Sequence, residues 1–235
     1  MTEIAKTADQ ALQVLEHVAA SGPQPVAVVA RELRMHRTVV HRLLATLHRR
    51  GYLRKVPGGF EPGLALLRVA HRVEPDLLAA ARPVLARLAR EHGETFILTV
   101  ADGDEAVQIE QAVGSRHFVR VQLERGFRHP LALGASGRAI LAHLPADVLE
   151  PIVARAKEPK RLQAQLAETR RAGFSVSHDE LSHSLYGVSA PVLAGGRVLA
   201  SIGVVMPSVR AGRVEEYARH LKKAAAQLGR ELSQR

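Results

Sequence analysis

Two periods of apolar residues divide this chain. Through residues 7–20 the apolar positions Ala11, Leu12, Leu15, Val18 and Ala19 fall on one side of a helix. Asp9 and Glu16 take the solvent side, and Ser21-Gly22-Pro23 breaks the run. A shorter set follows at Val26, Val29, Ala30 and Leu33, with Pro25 placed just inside that helix start, where its missing N–H costs nothing. Arg34-Met35 makes a turn, and Val40, Leu43, Leu44 and Leu47 line a longer helix that Gly51 ends. Segments 52–56 and 60–62, on either side of Pro57-Gly58-Gly59, read as a β-hairpin. A helix over 63–73 aligns Leu64, Leu67 and Ala70 until Glu74-Pro75 interrupts it, and is expected to connect two domains. Asp76 is placed to cap the next helix, whose apolar set includes Leu77, Leu78, Ala81, Leu85 and Leu88.

After Glu94 the period falls to two. Strands are expected at 95–100 and 106–113 around Asp102-Gly103-Asp104, and at 117–123, where Val119, Val121 and Leu123 alternate with Phe118, Arg120 and Gln122 as in a half-buried strand. Helices are expected over 134–144, 147–156, 160–171 and 213–233. Strands are expected over 174–177, 187–193 and 198–206, the last two joined through Gly195-Gly196. Helices laid on an antiparallel sheet give an α+β fold. The expected division is 1–62, a linker helix 63–75, and 76–235.

Charge sharpens the first of these regions. Between Gly22 and Phe60 there are eight Lys or Arg and one acid, Glu32, a local net of +7 within a chain total of +10. The exposed face of the second helix of the pair carries Arg37, Thr38, His41 and Arg42, with Val39 beside them and Arg49 in its last turn. Arg54 and Lys55 stand on the hairpin. A helix, a turn, a basic helix and a hairpin make a winged helix-turn-helix, and duplex DNA is the counterpart of that charge. The competing reading is a solvated basic face on an ordinary helix pair.

The chain has no cysteine, which removes disulfides, thiolate metal sites and cysteine nucleophiles, and suits a reducing cytoplasm. Its N-terminal residues lack signal-peptide form, and no apolar run approaches the roughly 20 residues that span a bilayer. Aromatics are 3% with no Trp, too few for platforms that stack single-stranded bases. No cofactor is expected. Gly134-Ala135-Ser136-Gly137-Arg138 lacks the second glycine of a G-x-S-x-G elbow, and no phosphate-cradling loop occurs. His178 and His183 are five apart, not the four that puts two ligands on one helical face, so His178-Asp179-Glu180 is read as a solvated loop. A hydrolase is therefore a remote alternative.

One ordered set of segments runs through nearly the whole chain. It comprises Val29-Ala30-Arg31-Glu32-Leu33, Thr38-Val39-Val40-His41-Arg42-Leu43-Leu44, Gly51-Tyr52 and Gly59-Phe60-Glu61-Pro62-Gly63, then Ser136-Gly137-Arg138-Ala139-Ile140-Leu141-Ala142, Arg170-Arg171-Ala172-Gly173-Phe174 and Gly187-Val188-Ser189-Ala190-Pro191-Val192. In this the chain resembles IclR-type transcriptional regulators. The resemblance implies a C-terminal domain related to GAF and PAS sensors, a palindromic operator, and pairing into homodimers or homotetramers. It also implies an effector pocket walled by Gly134, Ala135 and Ser136 and by strand residues Ser177, Gly187, Ser189, Gly203 and Val205. At the matching positions, members that bind small oxo-acids carry more polar side chains. A roomier, more apolar pocket is therefore expected, suited to a hydrophobic or aromatic carboxylic acid. A C-terminal domain that only dimerises is the alternative.

Overall fold

The computed structural model describes residues 4–234, which divide into two compact units between Pro75 and Asp76. In the first, α1 (Lys6–Ser21), α2 (Val26–Glu32) and α3 (Arg37–Arg49) enclose Val14, Val18, Val29, Val40 and Leu44. Pro25 lies one residue earlier than its composition suggests: it is the extended cap before Val26, not the first helical residue. The turn between α2 and α3 is made by Arg34 in a left-handed conformation, φ 52°, with the Met35 N–H returning to the Ala30 carbonyl at 2.9 Å. Gly51, φ 77°, closes α3, and the Tyr52 N–H reaches the Leu47 carbonyl at 2.9 Å, the Schellman arrangement.

Strands β1 (Leu53–Val56) and β2 (Gly59–Pro62) form the wing, antiparallel with Val56 opposite Gly59, so only Pro57 and Gly58 are left to turn the chain. A Cβ on Gly63 would lie 2.2 Å from the Gly51 carbonyl oxygen, which locks the end of the wing against the end of α3. The expected helix over 63–73 is shorter, α4 (Ala65–Ala70), with Ala65 buried while Leu64 and Leu67 are exposed.

The second unit is a six-stranded antiparallel sheet in the order β5-β4-β3-β8-β7-β6. The strands are β3 (Thr95–Asp102), β4 (Glu105–Ala112), β5 (Arg128–Pro130), β6 (Ser175–His178), β7 (Leu185–Ala194) and β8 (Arg197–Pro207). Alternation gives the sheet two different faces. Phe96 and Leu98, Val188 and Ala190, Ile202 and Val204 point to one side. They pack with Leu85 and Leu88 of α5 (Pro75–His92) and Leu221 and Leu228 of α9 (Val214–Ser233). On the other side lie α6 (Gly134–Leu141), α7 (Ala146–Ala154) and α8 (Pro159–Ala172), which share a smaller apolar cluster around Leu131, Ile140 and Leu166.

Two further expectations change. Asp76 does not precede α5: Pro75 begins the helix, so Asp76 sits in its first turn, where a carboxylate still meets the positive end of the helix dipole. Residues 117–123 form no strand. Phe118 is fully exposed, and side chains hold the segment: the Thr95 hydroxyl donates to the Val121 carbonyl at 2.6 Å and the Gln111 amide to that of Leu123 at 2.5 Å. The edge strand β5 and a 3-10 turn at Ser208–Arg213 are too short for periodicity to show.

Gly229 brings α9 close to the sheet, since a Cβ there would lie 2.1 Å from the Leu193 carbonyl oxygen. Gly229→Ala should lower stability by about 1–3 kcal/mol, the usual cost of overpacking, read as an earlier midpoint in urea unfolding.

A candidate DNA-reading surface and a candidate effector cavity

In the first unit, every charged residue predicted to touch DNA is exposed. Arg37, Thr38, His41 and Arg42 project from the first turns of α3, Val39 is half-buried beside them, and Arg49 stands at its far end. His36 caps the helix, its Nδ1 accepting from the Thr38 N–H at 3.4 Å. Among the described residues Arg37, Arg42, Arg49 and Lys55 make no ion pair, so their charge is available to an outside polyanion. Arg54 differs. It pairs across the wing with Glu61, an acid just beyond the basic stretch, so its charge is already partnered within the wing.

In the second unit, Ser177, Gly187, Ser189 and Val205 lie with Ala135 and Ser136 around one small cavity, on the sheet face turned away from α5 and α9. Its free volume is about 20 Å³. Two residues expected there are not in its lining: Gly203 sits behind Ser189 and Gly134 lies under Leu181. The cavity is not roomy, for a definite reason. The space that Gly187 and Gly203 leave is filled by neighbouring hydroxyls: a Cβ on Gly187 would meet Ser177 Oγ at 2.8 Å, and one on Gly203 would meet Ser189 Oγ at 2.2 Å. The lining mixes apolar Ile97, Leu123, Phe127 and Leu181 with polar Thr99, Gln108 and His129.

Three of those polar residues carry no sequence signal that distinguishes them. Thr99 and Gln108 are cross-strand partners beside a register shift after Leu98. They are 1% and 2% exposed, and neither the threonine hydroxyl nor the glutamine amide finds a hydrogen-bond partner among the described residues. The Pro130 carbonyl, 3.1 Å from His129 Nδ1, can only accept; Nδ1 therefore carries the proton and Nε2 accepts from the Ser136 hydroxyl, also at 3.1 Å. Burial pushes the His129 pKa below its ordinary value, which agrees with a neutral ring.

The start of α6, expected to form one wall of the pocket, presents N–H groups that can hold an anion. Gly134 and Ser136 are buried, and an anion is already there: Glu180 accepts from the Gly134 N–H at 2.9 Å. The same carboxylate pairs with Arg138, which is 2% exposed and donates to Glu180 Oε1 at 2.8 Å and to the Val176 carbonyl at 2.5 Å. Glu180 is thus no solvated loop residue, although neighbouring His178, Asp179 and His183 are exposed. Its segment enters and leaves through left-handed Asp179, φ 56°, and Ser184, φ 58°. Between them Leu181 reaches over Gly134, where a Cβ would lie 2.9 Å from its Cδ1. A separate open cleft of about 510 Å³ runs past Arg138 and Glu180 between Leu133, Ile152 and Leu162, and contains none of the predicted strand residues.

Residues 69–230 match the model of the bacterial transcriptional regulator IclR C-terminal domain, and residues 7–57 match the IclR helix-turn-helix domain. The chain belongs to the IclR family. It is a DNA-binding transcriptional regulator and not an enzyme. It is 30% identical over 86% of its length to a probable transcriptional regulator SauR of Cupriavidus necator, and covers 86% of that protein. It is 29% identical to the HTH-type transcriptional regulator KipR of Bacillus subtilis over 84% of its own length and 85% of the other. Among solved structures, an IclR homologue from Microbacterium hydrocarbonoxydans, crystallised with 4-hydroxybenzoate, superposes with a TM-score of 0.85. The match covers 97% of this chain and 100% of that one at 23% identity, which establishes the shared α+β fold of this IclR-family chain. No helix among the described residues is long and apolar enough to cross a membrane.

Removing the Glu180 charge leaves Arg138 buried without its counter-ion. Glu180→Gln should destabilise the second unit toward the lower end of about 3–5 kcal/mol, because Glu180 keeps some solvent contact, and calorimetric unfolding measures it. For His129 the folded pKa lies below the unfolded one, so the unfolded state binds the extra proton. Stability is then held above about pH 6.5 and falls as pH drops below it, by at most about 1.4 kcal/mol per pH unit. Urea midpoints at pH 7.5 and 5.5 should separate less in His129→Gln than in the parent.

Proposed function

We propose that this regulator reads a palindromic operator with α3 and changes its DNA affinity when a small carboxylic acid with an apolar or aromatic body enters the cavity between α6 and the sheet. The observation that carries the second half is the unpartnered pair Thr99 and Gln108. Buried polar groups without hydrogen bonds cost roughly 1–3 kcal/mol each, and such groups mark a place where a partner is missing. Thr99 offers a hydroxyl donor and Gln108 two amide N–H donors, enough to hold one carboxylate. Ile97, Leu123, Phe127 and Val205 supply the apolar walls. The related structure that holds 4-hydroxybenzoate supports an acid of this class. Because the free volume is small, entry requires the Leu181 segment to lift, and its two left-handed residues are the hinges.

On DNA, Arg37, Arg42, Thr38 and Val39 reach base edges in the major groove, with His41 alongside, while Arg49, Arg54 and Lys55 hold phosphates. One reading helix spans only a few base pairs, so two copies of the chain are needed for a specific site. A homodimer, or a homotetramer made of two, fits this, with residues 63–75 as the connector and the cytoplasm as the place of action. The effector must favour one arrangement of the paired helices, since a ligand of equal affinity for both shifts nothing.

Arg42→Ala should relax base preference at one operator position, and Lys55→Ala should weaken all sequences alike and reduce the salt slope by about 0.9. A binding panel of randomised sites reads both. Equal losses for the two variants on every site would contradict the division of roles. For the cavity, thermal shift with 4-hydroxybenzoate, benzoate and glyoxylate should show stabilisation by the aromatic acids and its loss in Gln108→Leu. No shift with any acid would favour a C-terminal domain that only pairs chains.

A further inference from the structure

The last turn of α5 meets the beginning of α9 at a cluster that lies outside the effector cavity. His92 is 5% exposed, with its Nε2 2.9 Å from Nδ1 of His220 and its Nδ1 3.8 Å from a carboxylate oxygen of Glu216. That Nδ1 is buried and has no hydrogen-bond partner. Glu216 and His220 are four residues apart on α9 and therefore share one face. One ligand atom from each of the three residues can be chosen so that all lie within 4.8 Å of one another.

Without an ion the 2.9 Å contact between the two rings is an N–H···N hydrogen bond, and a cation would replace the shared proton. Two nitrogens bound to one ion at about 2.0–2.1 Å in tetrahedral geometry stand about 3.4 Å apart. The two imidazoles need only a small rotation to reach that separation. The rings of Phe96 and Tyr217, at 5.7 and 5.3 Å between centroids, fix the plane of His92. Burial, then the neighbouring His220, holds the His92 pKa below its ordinary value, so the ring is neutral, as a ligand must be. Two charged neighbours matter. Arg213 already donates to both oxygens of Glu216, its Nε at 2.7 Å, and opposes a cation, whereas Glu91 favours one. A carboxylate has about four lone-pair sites, so Glu216 can serve Arg213 and a metal together.

We propose that His92, Glu216 and His220 form a binding site for a divalent transition-metal ion, with water completing the coordination. Two imidazoles and one carboxylate, with no sulfur, are the donor set of Zn²⁺ sites, and Co²⁺ takes the same geometry. Such an ion ties the end of α5 to α9.

The test uses the full chain after treatment with a chelator. Zn²⁺ is titrated against a competing chelating dye, and Co²⁺ is followed by its visible ligand-field bands. One tight site per chain is expected, with intense tetrahedral-type Co²⁺ absorption and a rise in unfolding temperature on adding Zn²⁺. Glu216→Gln and His220→Gln should weaken Zn²⁺ at least about 10- to 100-fold, more than is usual for losing a supporting partner. Arg213→Gln should tighten it. If the parent shows no tight site, or if both ligand variants match it, the proposal fails. Should His220→Gln not fold, Glu216→Gln is nearly isosteric, lies on a solvated face and gives the same reading.

Discussion

The second unit turns on one buried charge. Arg138 lies in the middle of α6 at 2% exposure, and a guanidinium cannot be neutralised by giving up its proton. An acid must therefore come to it. Glu180 does so, and in doing so brings its whole segment over the start of α6 and places Leu181 on Gly134. The desolvated pair is weak evidence of net stability, since burying both ions is itself costly. Its effect is positional. The loop cannot leave without separating opposite charges in a poorly solvated place, and the cavity under Leu181 stays closed for the same reason. The ion pair thus holds the cover of the cavity in place although it touches none of the cavity's free space.

Much of this architecture is written in spacing. The reading helix, its glycine stop and the wing follow from apolar periodicity and turn residues, because each is stabilised by neighbours close in sequence. The sheet strands from Gly187 to Met206 follow for the same reason. What spacing does not carry is contact over long separation. Arg138 and Glu180 are 42 residues apart, and an isolated Arg on a helix with an isolated Glu in a loop looks like two solvated charges. Residues 117–123 alternate as a strand would, yet side chains from β3 and β4 take up their carbonyls and no neighbouring strand pairs with them.

Glycine misled in the cavity for a related reason. A missing Cβ creates room only where nothing else moves in, and Ser177 and Ser189 moved in. Likewise Gln108, between Val107 and Ile109, reads as the outward residue of a half-exposed strand. The structure shows that outward here means toward α6 and not toward water. The polar face of this sheet carries Ser, Thr and Gln where a solvated face would carry Lys and Glu, but no neighbour in sequence singles out any one of them as a cavity residue.

The two faces of the sheet also separate two tasks that many proteins must reconcile. Packing against α5 and α9 uses large branched side chains that tolerate little change. On the proposed function, recognition would instead use the small and polar residues on the opposite face of the same strands, which contribute little to cohesion. A lineage of such proteins can exchange one metabolite for another by trading single small residues on the recognition side, while the scaffold beneath keeps its melting point.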